Sequence, residues 1–190
     1  MPVPVFSVNE VLTSSAMNQV GLWKISTTTF NNTASASIDN VFSADYINYK
    51  VVVQLYGSSN SNILKLTFLN SSGTERTSNY YGAAWGVDYA SGPTTLNSTG
   101  AQTTYIPLGY PSAASNGQPL VADLLIGNPW STDTRTGLAG PQTGINEGVV
   151  FSGGMANGVY LTKERHRGFR ISNTANTGLY GTVSVYGYRN

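Results

Sequence analysis

The clearest order in the chain is a two-residue alternation of apolar and polar positions, the period of a β-strand, whose successive side chains point to opposite faces. It closes the sequence: Val183 and Val185 share one face, while Thr182, Ser184, Tyr186 and Tyr188 share the other. The C-terminal segment is therefore expected to be tied into a sheet, since an unfixed end frays and is polar. The same period sets Tyr49, Val51, Val53 and Leu55 against Lys50, Val52, Gln54 and Tyr56, then Leu64, Leu66 and Phe68 against Lys65 and Thr67. Turn formers fill Gly57–Asn62 between these runs, which predicts an antiparallel hairpin with a medium loop. After a turn at Asn70–Gly73, Tyr80–Trp85 is expected to return as another strand.

Further apolar runs of strand length are Tyr105–Leu108, Leu120–Ile126, Val149–Phe151, Val159–Thr162 and Phe169–Ser172. Ser91–Pro93, Pro111–Gly117 and Gly140–Gly144 read as surface loops, and Gly153–Gly158 as a flexible turn. No long helical period competes, so about eight strands at this spacing predict an all-β chain. Some connections are too long for a meander, so an antiparallel β-sandwich, jelly-roll-like, is expected. Ahead of it Pro2 and Pro4 bias Met1–Ser7 toward an extended arm. Val11–Val20 reads as a short helix ended by Gly21, packing through Leu12, Met17, Val20 and Trp23. The expected division is an attachment segment over 1–25 and a β-sandwich domain over 26–190.

The length, 190 residues, fits one main domain. Only 10% of residues are charged and the net charge is +1, so the counterion-releasing cation excess of a duplex binder is missing and no nucleic-acid partner is expected. With no cysteine, disulfides and thiolate metal sites are excluded. The N-terminal stretch lacks a basic region followed by a long apolar run, so neither a signal peptide nor a membrane span is expected, and a soluble product of the cytoplasm is the default.

Candidate chemistry is sparse. Nothing beyond residue type supports a hydrolytic carboxylate pair among Asp39, Asp45 and Asp123. Asp39 and Asp45 read as turn caps, and Asp123, inside an apolar strand, as a rim or satisfied core position. The one imidazole, His166, sits among cations that should depress its basicity, with no nucleophile elbow to serve. Gly153–Gly158 lacks the Lys-Ser or Lys-Thr of a phosphate loop. The expectation is a non-enzymatic chain with no cofactor and no metal. Lys163, Arg165, Arg167 and Arg170 form the one charge cluster, read as a solvated loop or as an interface with acidic groups. Tyr80, Tyr81, Trp85 and Tyr89 fall near loops and are candidate carbohydrate contacts, because aromatic faces stack on sugar rings; the alternative is that they fill the core or a subunit interface.

Two segments carry a resemblance: Phe6–Asn18, with its Val11-Leu12-Thr13-Ser14-Ser15-Ala16-Met17-Asn18 entry, and Asn40–Val51, with Phe42, Tyr46, Asn48 and Tyr49 leading into a strand. With the closing Gly181–Tyr188, they resemble virion structural proteins of tailed bacteriophages, especially marine and cyanobacterial phages. The resemblance covers the ends better than the middle. It implies a fibre, head-appendage or capsid decoration protein, made in the host cytoplasm and resident in the virion, and it transfers no catalytic or binding residue. The expected partners are other virion proteins, a host-surface glycan, and the chain itself as a homo-oligomer, most plausibly a trimer. Val11, Leu12, Met17 and Trp23 are the interface candidates of the attachment segment. A tail-fibre receptor-binding tip and a free lectin-like module are the alternatives.

Overall fold

A computed structural model describes residues 21–58, 62–88, 92–113, 117–145 and 151–188. Among these residues twelve strands form two antiparallel sheets. The larger holds, side by side, β1 (Leu22–Thr33), β12 (Leu179–Tyr188), β3 (Asn48–Gly57), β8 (Leu120–Gly127), β9 (Gly137–Ile145), β10 (Phe151–Tyr160), β5 (Tyr80–Asp88) and β6 (Gly92–Thr103). The smaller holds β2 (Ser35–Ile38), β11 (His166–Asn173), β4 (Leu64–Asn70) and β7 (Ile106–Gly109).

The alternation read from the sequence decides which face of the large sheet is covered. Tyr49, Val51, Val53 and Leu55 of β3 are fully buried, as are Val183 and Val185 of β12 and Leu120, Leu124 and Ile126 of β8. Register aligns them in rows: Val51 lies opposite Val185 and Leu124, and Val53 opposite Val183 and Ala122. The small sheet meets them with Ile38, Leu64, Leu66, Phe68, Phe169 and Ile171 in one continuous core. Each such side chain contributes ~1.5–3 kcal/mol on burial, which fixes register because a one-residue slip would turn the whole set into water.

The predicted strands at 49–56 and 64–68 exist, but the predicted hairpin does not. β3 is flanked by β12 and β8 and β4 by β11 and β7, so the connection crosses from one sheet to the other. Burial explains it: Thr67 and Leu69 are buried along with Leu64, Leu66 and Phe68, so β4 has no solvent face to give a hairpin ribbon. Gly140–Gly144 and Gly153–Gly158, expected as loop and turn, are paired strand, with Met155 opposite Pro141 and Gly154 opposite Gln142. Gly92 and Pro93 likewise open β6.

Small residues there answer a packing demand. β7 lies across β5 and β10, and a Cβ on Gly158 would sit 2.8 Å from the Ile106 side chain and from the Tyr81 carbonyl oxygen. A Cβ on Gly82 would sit 3.1 Å from Pro107 Cδ. Glycine is what lets the two backbones approach this closely.

The strand directions bring the start of β1 and the end of β12 to one end of the molecule, the base, where Leu22 pairs with Tyr188, Tyr188 with Asn48, and Asn48 with Gly127. The β2–β3, β8–β9 and β10–β11 connections share this end. The expected arm and helix up to Val20 lie outside the described residues. Leu22–Ile25, assigned to the attachment segment by sequence, are strand: Trp23 pairs with Gly187 and its indole nitrogen is buried without a hydrogen-bond partner among the described residues.

Candidate functional site

The cation cluster is the first candidate, and the structure divides it. Arg167 and Arg170 belong to β11, whose outward positions face acids on neighbouring elements. Arg167 Nε donates to Asp39 Oδ1 at 2.7 Å, and its Nη2 donates to Oδ2. The hydrogen bonds from Arg167 hold the Asp39 carboxyl below the ordinary carboxylate range against the opposing effect of burial. Arg170 donates to Glu75 at 3.0 Å and to Ser35 Oγ at 2.5 Å. Each guanidinium spends its fork on its own chain and braces β11, Arg167 against Asp39 and Arg170 against Glu75. Lys163 and Arg165 are exposed, and Arg165 lies 5.7 Å from the centroid of the Trp130 ring. Trp130 lines a recess of about 200 Å³ at the base with Ala44, Tyr46, Ile47, Asn128 and Ser131.

Between these cations the chain turns inward. His166 is fully buried, stacked on Phe68 at 4.7 Å and edge-on to Tyr160 at 5.0 Å. Neither ring nitrogen has a well-aligned hydrogen-bond partner among the described residues. Burial pushes its pKa down to about 4; Glu164 opposes this and Arg76 adds to it. The expected depression is present, but desolvation causes most of it, not the neighbouring Lys163, Arg165 and Arg167. Beside it, Arg76 grips Glu164 bidentately at 2.7 and 2.5 Å while Tyr160 donates to Glu164 Oε1 at 2.7 Å. Burial alone would raise the Glu164 pKa; these hydrogen bonds outweigh it and hold the carboxylate ionised.

The candidate carbohydrate contacts also separate. Tyr80 faces inward, fully buried; its hydroxyl accepts from Phe68 N at 2.8 Å and donates to Arg76 O at 3.0 Å. It is a core residue and no ligand contact. Tyr81 and Trp85 stand on the opposite face of β5, exposed at 39% and 51%. Tyr89 lies outside the described residues. Opposite Tyr81 on β10 stands Val159, opposite Ala83 stands Asn157, and opposite Trp85 stands Met155. The small middle row leaves a groove of about 490 Å³ bounded by Tyr81, Ala83, Leu138, Asn157 and Val159. Sequence reading missed Asn157, Met155 and Val159 because their stretch reads as a turn; the signal was Gly153, Met155, Asn157 and Val159 alternating with Gly154, Ala156 and Gly158.

Asp123, on the outer face of β8, forms an ion pair with Lys50 across the strand boundary at 2.7 Å, so it is neither a core site nor paired with another acid. Asp39 accepts from Asn40 N besides Arg167, while at Asp45 the Ser43 hydroxyl donates to the carboxylate and accepts from the Asp45 backbone N–H. Among the described residues no group of three His, Asp or Glu side chains converges as a metal-ligand set. Val11, Leu12 and Met17 lie outside the described residues. No family model, curated protein or solved structure matches the chain.

Proposed function

We propose that this chain is a non-enzymatic structural protein of a bacteriophage virion, a short appendage or capsid decoration protein held by residues 1–20 and displaying its β-domain outward. The observation that carries the reading is the placement of the base. The chain upstream of Gly21 must leave from the end where β1 starts, whereas the β3–β4, β5–β6, β7–β8 and β9–β10 connections leave from the opposite end. Connections lie at both ends, and the departure of the attachment segment from one of them suits a module fixed at its root and presented at its tip. The crossings of β3–β4, β7–β8 and β11–β12 between the sheets support a jelly-roll-like sandwich as the finer description, and a helix over 11–20 completes the attachment segment.

The experiment is removal of Met1–Val20. The truncated chain is expected to keep its β circular dichroism spectrum and thermal transition but to lose binding to particles stripped of the native protein. Decoration of those particles with undiminished affinity would place attachment in the β-domain and end the proposal. The receptor-tip and lectin readings draw on Tyr81 and Trp85, and a glycan screen on the same truncated chain addresses them.

A further inference from the structure

The outer face of the large sheet is not uniform. On β1, β12 and β3 polar positions, Lys24, Thr27, Thr29, Lys50, Gln54, Thr182 and Ser184, alternate with Val52, Tyr186 and, toward the base, Leu22 and Tyr188, exposed at 43% and 38%. On β8, β9, β10 and β5 the alternation from buried apolar to exposed polar fails. Trp85 is 51% exposed, Leu125 49%, Val87 42% and Val121 38%. Met155 and Pro141, directly opposite each other, continue the apolar surface between them.

We propose that this apolar half of the outer face, from Leu125 and Val121 across Pro141 and Met155 to Trp85, is covered by a second copy of this chain. Size is the first reason. Taking ~150–250 Å² for an aromatic side chain and less for Val and Leu, the exposed parts of these residues and Tyr81 come to on the order of 400 Å², within the ~300–600 Å² of the largest patch on a typical monomer, often a functional one. With Met155, Pro141 and Ala139 included, the patch reaches about 500 Å² per partner, half of the ~1,000 Å² that a specific interface must clear over both partners. Charge is the second. The charged side chains at its edge, Lys50 and Asp123, already pair with each other at 2.7 Å, so covering the patch strands no lone ion. A partner that is itself only 10% charged brings none.

Shape is the third reason. The row Trp85–Met155–Pro141 forms a ridge, and the adjacent row Ala83–Asn157–Ala139 a trough of small side chains. The groove of about 490 Å³ at that trough has room for the ridge of another copy. Ridge and trough belong to one patch, so two copies related by a two-fold axis seat each other reciprocally, and three copies in a ring do so in turn. A glycan is the poorer occupant: sugar sites place several polar groups among their aromatic platforms, whereas here Asn157 stands among Trp85, Met155, Pro141, Val159 and Ala139.

The test is sedimentation of the full chain at micromolar concentration beside a Trp85→Lys/Leu125→Lys variant and a Thr182→Lys/Ser184→Lys control on the polar half. All three should show the same circular dichroism, since every altered position is at the surface. The parent and the control should associate, and the apolar-face variant should dissociate, its dissociation constant rising by about thirty-fold or more, as expected for central interface residues. A monomeric parent overturns the proposal, as does an oligomer that both variants leave intact. So does a monomer whose Trp85 fluorescence is quenched by an oligosaccharide, which would assign the face to a glycan. None of these outcomes bears on whether residues 1–20 anchor the chain to a particle.

Discussion

At the scale of single residues, His166 is the most consequential buried polar group. Its imidazole packs against Phe68 and Tyr160 with Glu164 and Arg76 nearby, and burial lowers its pKa from 6.5 to about 4. The unfolded chain therefore takes up this proton first as the pH falls. The stabilisation is complete above pH 6.5 and is lost progressively toward pH 4, by about 3 kcal/mol across the window. His166→Phe should keep the stack on Phe68 and remove this slope. Urea unfolding at neutral pH and at about pH 5 should give a large drop in midpoint for the parent and a small one for the variant. Equal drops would mean that His166 is not the source of the acid sensitivity; Glu164 and Asp39, whose carboxyls are held below the ordinary range, lose their stabilising charge only at still lower pH.

At the scale of elements, the close approach between the two sheets is that of β7 over β5 and β10. Gly158→Val would drive a branched side chain into Ile106 and the Tyr81 carbonyl. Overpacking of that kind costs ~1–3 kcal/mol and more where backbone must move. Thermal denaturation should show a lowered midpoint, while Gly117→Val, at a position with nothing within 4 Å of a Cβ, serves as a comparison for backbone strain without crowding, its φ being +70°. If the two variants lose the same stability, crowding by β7 is not what requires the glycine.

The same strands mark how far the sequence could be read. β3, β4 and β12 carry the two-residue period and β8 and β11 are apolar runs of strand length, so these five were legible in the side chains themselves. β9 and β10 were not: Gly140, Gly144, Gly154 and Gly158 serve close backbone contact, and single-chain punctuation rules read them as turns. Pairing was illegible for a related reason. Whether β4 joins β3 or crosses to β11 depends on which strands, distant in sequence, compete for each edge. For the candidate site, Tyr81 and Trp85 were identified by residue type, but separating them from Tyr80 required the face assignment, and Arg167 and Arg170 required Asp39 and Glu75, remote in the chain.

At the scale of the whole molecule, two polarities coexist: a base from which the attachment segment leaves, and a large sheet whose outer face is mixed over β1, β12 and β3 and mainly apolar over β8, β9, β10 and β5. The removal of Met1–Val20 probes the first and the Trp85→Lys/Leu125→Lys variant the second. Because the apolar half lies on the flank of the module and the base at its end, both surfaces can be occupied at once. The truncated chain should therefore sediment as the same oligomer as the parent; a monomer would mean that the attachment segment contributes to association.

The order of strands in the sheets also sets a timetable for biosynthesis. β1 pairs with β12 and β2 with β11, so the first two strands to leave the ribosome have their ladder partners among the last two. At ~5–20 residues per second, Phe30 and Ile38 wait many seconds for the strands that will cover them, and loop closure across nearly the full chain precedes the pairing that rewards it. Closure of the large sheet between β1 and β3 thus follows synthesis of every other described strand, and the edges that β12 will cover stay open until then. Refolding from denaturant should be slow and should follow the closure of β12 between β1 and β3. A chain stopped before Leu179 should be found in the insoluble fraction.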